Sequence, residues 1–171
     1  MNYRIILTIL FYAFSTICFA QHLTYSDIVK INRLSRMSEI SDYVTQRGYV
    51  YAGTNQRDSV SDVYWARNCE SVNTTTGDFE WKTGKSRSLL KLEVTNKFHV
   101  IHYELPSRNA FNTLSTTLKA NGFRFQKEQI SRSVITLTYK RLRGKKTDFV
   151  ATYEKPGGYY SCVFWFNYPT E

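Results

Sequence analysis

Few residues in this chain have the chemistry for proton transfer or metal binding, and their spacing decides what they can do together. His99 and His102 stand three apart in His-Val-Ile-His-Tyr-Glu-Leu, a run of strand composition. Side chains three apart on a strand point to opposite faces, so the two imidazoles do not converge on one ion. His102 and Glu104 do share a face and form a candidate polar pair near Lys91, although the same alternation describes an ordinary solvated strand. Catalytic groups can also converge from distant positions, and Glu93 with Glu104 is one example of a dispersed acid pair for glycan cleavage. The sequence has no G-x-S-x-G elbow, no H-E-x-x-H helix and no glycine-rich phosphate loop. The expectation is therefore no catalytic residue, no metal and no cofactor, with a secreted hydrolase as the minor alternative. His22 is expected to be mobile near the chain start.

Charge and aromatic side chains are better represented. Lys140, Arg141, Arg143, Lys145 and Lys146 crowd into seven positions where two strands should turn, which makes a basic hairpin. Such a tip can dock on phosphates or on an acidic protein patch, and it also serves as a solvated turn that discourages edge aggregation. Lys82, Lys85 and Arg87 form a second basic group after an expected loop over 70–81, which contains the glycan-acceptor triplet Asn73-Thr74-Thr75.

The elements that position these residues follow from two Gly-aromatic pairs, Gly48-Tyr49 and Gly122-Phe123. Val44, Ile40 and Met37 precede Gly48 at the same offsets at which Leu118, Leu114 and Phe111 precede Gly122. Each set is one helical stripe, and each glycine stands where a helix ends in a left-handed residue. Ser35 or Ser38 is the expected cap of the first helix, and Pro106-Ser107 opens the second. Thr24 to Asp27 has the pattern of a capping box for an additional short helix. Four strand-like runs follow each glycine: 49–53, 60–68, 88–95 and 98–105, then 123–128, 133–142, 146–154 and 159–168. Short connectors such as 95–97 and 156–158 make consecutive strands antiparallel.

Alternation assigns faces. Ile135, Leu137 and Tyr139, then Phe149, Ala151 and Tyr153, then Cys162, Phe164 and Phe166 are expected under the helices, as are Leu90, Leu92 and Val94. The opposite parity, with Lys91, Tyr159 and Trp165, is expected to be open, while Tyr64 and Trp65 fit either face. Tyr and Trp bury large areas and keep a polar tip, which suits them to interfaces. The candidate partner-binding residues are Lys91, His102, Arg124, Lys140, Tyr159 and Trp165.

Residues 1–20 hold Arg4, an apolar run and the small-x-small end Cys18-Phe19-Ala20, the pattern of a cleaved signal peptide. No later stretch reads as a transmembrane segment. The formal net charge of +9 falls to +8 once Arg4 is removed. A basic exported protein favours acidic partners, and nucleic acid is disfavoured outside the cytoplasm. An oxidising compartment permits a disulfide between Cys69 and Cys162; a buried free thiol is the alternative for Cys162.

In the order of its elements, and in Gly48-Tyr49 and Gly122-Phe123, the chain resembles the beta-lactamase inhibitor proteins. The resemblance spans nearly all of the sequence after the leader. It implies tandem helix-plus-four-strand copies whose sheets join into one curved surface that grips another protein. That family carries a disulfide within each copy, whereas this chain has Cys69 in one and Cys162 in the other, so beta-lactamase as the target is not carried over.

The expected fold class is α+β: two tandem helix-plus-four-antiparallel-strand repeats, 21–105 and 106–171, forming a single domain with the helices on one face of a curved antiparallel sheet. The expected function is that of an exported, periplasmic or secreted, non-catalytic protein-binding module, an inhibitor or immunity-type protein acting by steric occlusion. The alternative is a binder of acidic envelope glycans or lipid surfaces through the basic hairpin.

Overall fold

The structure, a computed structural model, describes residues 22–57, 59–73, 78–95, 99–143 and 146–166. The expected leader, the end of the last strand, the middle of the basic turn and most of the 95–97 connector lie outside these. The fold of the described residues is α+β, with three helices beside a large antiparallel sheet. The helices are α1 (Tyr25–Arg33), α2 (Met37–Thr45) and α3 (Arg108–Ala120). The strands are β1 (Val50–Arg57), β2 (Val60–Arg67), β3 (Cys69–Val72), β4 (Phe79–Trp81), β5 (Ser88–Val94), β6 (His99–Leu105), β7 (Arg124–Ser131), β8 (Val134–Arg143), β9 (Lys146–Lys155) and β10 (Tyr159–Trp165). Eight of them form one sheet in the order β1-β2-β5-β6-β10-β9-β8-β7, so β6 and β10 meet antiparallel at its centre. The segment expected as a loop over 70–81 instead contains most of a separate hairpin, β3 with β4.

Local chemistry explains the helix ends. Thr24 and Asp27 form the capping box of α1: the Asp27 amide donates to Thr24 Oγ1 at 3.3 Å, and Asp27 Oδ2 accepts from the Thr24 amide at 2.8 Å. Ser107 caps α3 by accepting from the Ala110 amide. Neither Ser35 nor Ser38 caps α2; Arg36 occupies that position and makes no side-chain cap. At the other ends Gly48 and Gly122 take φ of 80° and 81°. The following amides, Tyr49 and Phe123, donate back to the Val44 and Leu118 carbonyls at 3.2 and 3.1 Å.

The helices bury Ile28, Ile31, Ile40, Val44, Phe111, Leu114 and Leu118 against Trp65, Leu90, Leu92, Ile101, Tyr103, Cys162 and Phe164 on the sheet. Met37, expected on this stripe, is 37% exposed at the start of α2. Trp65 faces inward and Tyr64 outward, which settles the strand that fitted either face. One expected parity is corrected: in β9 it is Val150, Thr152 and Asp148 that lie under the helices, while Phe149, Ala151 and Tyr153 face the other way. Val150 is paired on one side with Tyr139 and on the other with Phe164. Both parities of this strand carry apolar residues, and the charge of Asp148 hides the inward one.

Asp27 also ties α1 to α2, accepting from Tyr43 Oη at 2.6 Å and from Arg47 Nε at 2.7 Å. Burial alone would raise its pKa, but the hydrogen bonds from Tyr43, Thr24 and Arg47 outweigh burial and hold it below the ordinary 3.8. A depressed carboxylate contributes stability that is present above its unfolded pKa and lost as pH falls through the folded one. The urea midpoint is therefore expected to hold from neutrality down to about pH 5 and to drop below about pH 4. Asp27→Asn should flatten that drop when the midpoint is followed against pH.

Candidate functional site

The face of the sheet opposite the helices is crossed by ladders of directly opposed residues. One ladder traverses all eight strands: Asn55, Asp62, Glu93, Val100, Trp165, Phe149, Lys140 and Arg124. It runs from carboxylates on β2 and β5, through an apolar middle, to two cations on β8 and β7. The next ladder carries Tyr64, Lys91, His102, Val163, Ala151, Thr138 and Lys127. All six candidate partner-binding residues, Lys91, His102, Arg124, Lys140, Tyr159 and Trp165, stand on this face.

Its centre is aromatic. Phe149, Trp165 and Tyr159 are 40%, 38% and 37% exposed, while Val100, Ala151 and Val163 beside them are buried by their neighbours. Tyr159 donates to Glu104 Oε1 at 2.6 Å, and Lys155 Nζ lies 4.7 Å from the Tyr159 ring centre. Burial raises the Glu104 pKa against the opposing effect of that hydrogen bond. Burial and the adjoining carboxylate push the Tyr159 phenol up as well. Lys140 Nζ lies 5.8 Å from the Phe149 ring centre, a cation placed over an aromatic face.

Toward β2 the charges neutralise one another. Asp62, with no solvent exposure, pairs with Arg57 and lies 3.6 Å from Lys91 Nζ. Burial would raise its pKa, yet the Arg57 hydrogen bond and the Lys91 charge bring it below the ordinary value. Lys91 also lies 3.6 Å from Glu93, and His102 Nε2 lies 3.5 Å from the same carboxylate. The expected His102–Glu104 pair is thus replaced by His102 with Glu93, because Glu104 is taken by Tyr159. Burial and then Lys91 lower the His102 pKa below its ordinary value, overriding Glu93. Glu93 and Glu104 are each committed to their own partners. The β3–β4 hairpin leans over this side: Phe79 stacks on Trp81 at 5.5 Å and meets Tyr64 at 6.4 Å.

Other candidates are placed elsewhere. Arg141, counted with the basic hairpin, turns to the helix side, where its Nη2 and Nε donate to Asp148 Oδ2 at 2.7 and 3.1 Å and its guanidinium covers the Phe123 ring at 4.5 Å. An arginine directly opposite a buried aspartate is drawn off the surface by that charge. Lys146 pairs in register with Arg143; the Arg143 side chain and Lys145 lie outside the described residues, as do Thr74 and Thr75. Cys69 and Cys162 are free thiols, so the disulfide is not formed. Cys162 is enclosed in the core, where burial drives its pKa far up, whereas Cys69 sits in the β3–β4 hairpin. His22, expected to be mobile, lies half-buried with Nδ1 3.3 Å from Arg67 Nη1. Burial lowers the His99 pKa as well.

Asp62 and Phe149 were missed from sequence. An acid inside the apolar run of β2, with Arg57 across a short turn, was the available signal for the first; Phe149 was lost with the inverted parity of β9. Among the described residues no three His, Cys, Asp or Glu side chains converge on a metal position. None of their helices is long and apolar enough to cross a membrane. Comparison with known protein families, curated proteins and solved structures finds no match to this chain.

Proposed function

We propose that this is an exported, non-catalytic protein-binding module, of inhibitor or immunity type, that acts by steric occlusion through its open sheet face. The observation that carries the proposal is the exposed aromatic centre, Phe149, Trp165 and Tyr159, on the side of the sheet that the helices leave uncovered. An antiparallel sheet with one helix-covered face presents the other to solvent or to a partner. Large exposed rings grouped at the middle of that face have the composition of an interface core.

The proposal includes two tandem copies, 21–105 and 106–171, as in the beta-lactamase inhibitor proteins that the chain resembles. Several correspondences support it. β1 and β7 are each bulged just after Tyr51 and Phe125, three residues beyond Gly48 and Gly122. Arg67 and Arg141 stand nineteen residues beyond the same glycines, and each approaches its glycine from the neighbouring strand. Export rests on the leader pattern of residues 1–20.

Affinity capture from envelope and culture-fluid extracts, at low and high salt with mass identification, tests the function. A defined protein retained at high salt is the expected result. Retention that collapses with salt, and with neutralisation of Lys140 and Lys146, would instead indicate an acidic glycan or lipid surface met through the basic hairpin.

A further inference from the structure

We propose that the β7–β10 half of the open face docks an acidic protein surface, whose carboxylates settle at Arg124 and Lys140 while its apolar part covers Phe149 and Trp165. This rests on the open-face proposal above and names the chemistry of the partner.

Arg124 and Lys140 are directly opposite on neighbouring strands and on the same face. Like charges so placed destabilise a sheet, and only an anion between them turns that cost into an attraction. No carboxylate of these four strands stands on their face to do so. Glu128 is opposite Leu137, Glu154 opposite Ile135, and Asp148 opposite Arg141, all on the helix side. Lys127 adds another cation to the open side, and so does Lys155, whose charge acts on Glu104 of β6. Arg124 and Lys140 also line a notch of about 450 Å³ with Gly122, Gln126 and Leu142, space enough for a partner's acidic side chains.

The other half of the face lacks this imbalance. Asp62 and Glu93 are met by Arg57 and Lys91, and Phe79 of the β3–β4 hairpin lies against the neighbouring Tyr64. The same ladder decides the class of partner. A uniformly charged polyanion lying along it would gain Lys140 and Arg124 but then cross the apolar stretch of Phe149, Trp165 and Val100 to cations already paired with Asp62 and Glu93, whereas a protein surface can present acids at one end and apolar groups in the middle. A second copy of this face would set cations against cations.

The test is amide NMR on the protein recovered after export of the full sequence, titrated at low salt with a synthetic peptide alternating Asp and Glu with Leu and Phe. Its Asn/Gln counterpart, hexagalacturonate and phosphatidylglycerol vesicles are run in parallel. The acidic peptide is expected to shift the amides of Arg124, Lys140, Phe149 and Trp165, and Arg124→Gln with Lys140→Gln to weaken it about tenfold. Tighter binding of the oligouronate or the vesicles at the same residues would overturn the inference. So would equal binding of the Asn/Gln peptide, or shifts that follow protein concentration alone. Weakening by Trp165→Ala but not by the charge variant would overturn the acidic partner and leave the open-face proposal standing; no effect of either variant would remove both.

Discussion

Asp148→Ala is expected to lower the unfolding free energy by about 3–5 kcal/mol, the cost of stripping a buried ion of its partner. Asp148 has no solvent exposure, and the Arg141 side chain is 14% exposed. One carboxylate oxygen receives both Nη2 and Nε, so removing it leaves a guanidinium enclosed beside the Phe123 ring with only a weak remaining bond, to the Asn121 carbonyl at 3.3 Å. That carbonyl belongs to the C-cap of α3, so the loss should also loosen the helix end against β8. Urea denaturation gives the magnitude. Adding Arg141→Met to Asp148→Ala should recover a large part of it, since an apolar pair of similar volume has no charge to desolvate. A loss below about 1 kcal/mol for Asp148→Ala would mean the pair behaves as an exposed one.

The largest expected functional effect is on partner binding. Trp165→Ala together with Tyr159→Ala should weaken capture of the partner about a hundredfold, because buried aromatic anchors at the middle of an interface carry most of its energy. Trp165 lies between Val100 and Phe149 on the ladder and is flanked by both halves of the sheet. Tyr159 is held upright by Glu104, so Tyr159→Phe separates the ring from its hydroxyl: the ring alone should retain most of the affinity. Unfolding midpoints measured in parallel are expected to fall, since well over half of each ring is covered, and capture is compared at a temperature where the variant is fully folded.

Much of this arrangement was legible in the sequence because the signals were local. The apolar stripes ahead of Gly48 and Gly122, the box at Thr24 and Asp27, and the cap at Ser107 each depend on residues within a turn or two of one another. Alternation in β5, β8 and β10 placed Leu90, Tyr139 and Phe164 inward and Trp165 outward, and the six partner-binding candidates share one face as expected. What failed depended on neighbours distant in sequence. The parity of β9 is set by Asp148 facing Arg141 across the hairpin, and nothing in either strand alone reveals that a charge belongs under the helices. Glu93 rather than Glu104 meets His102 because Tyr159, on the far strand β10, competes for Glu104. That β6 meets β10 to make one sheet of eight strands was left open by the residues themselves, since it is a pairing between segments far apart in the chain.

The central claim is that the partner covers the open sheet face. Hydroxyl-radical footprinting with mass spectrometry, comparing the free protein with its complex, tests it most directly. Oxidation of Trp165, Tyr159 and Phe149 should fall on complex formation, while that of Met37, exposed on α2, stays unchanged. Protection of Met37, with Trp165, Tyr159 and Phe149 oxidised as before, would contradict it.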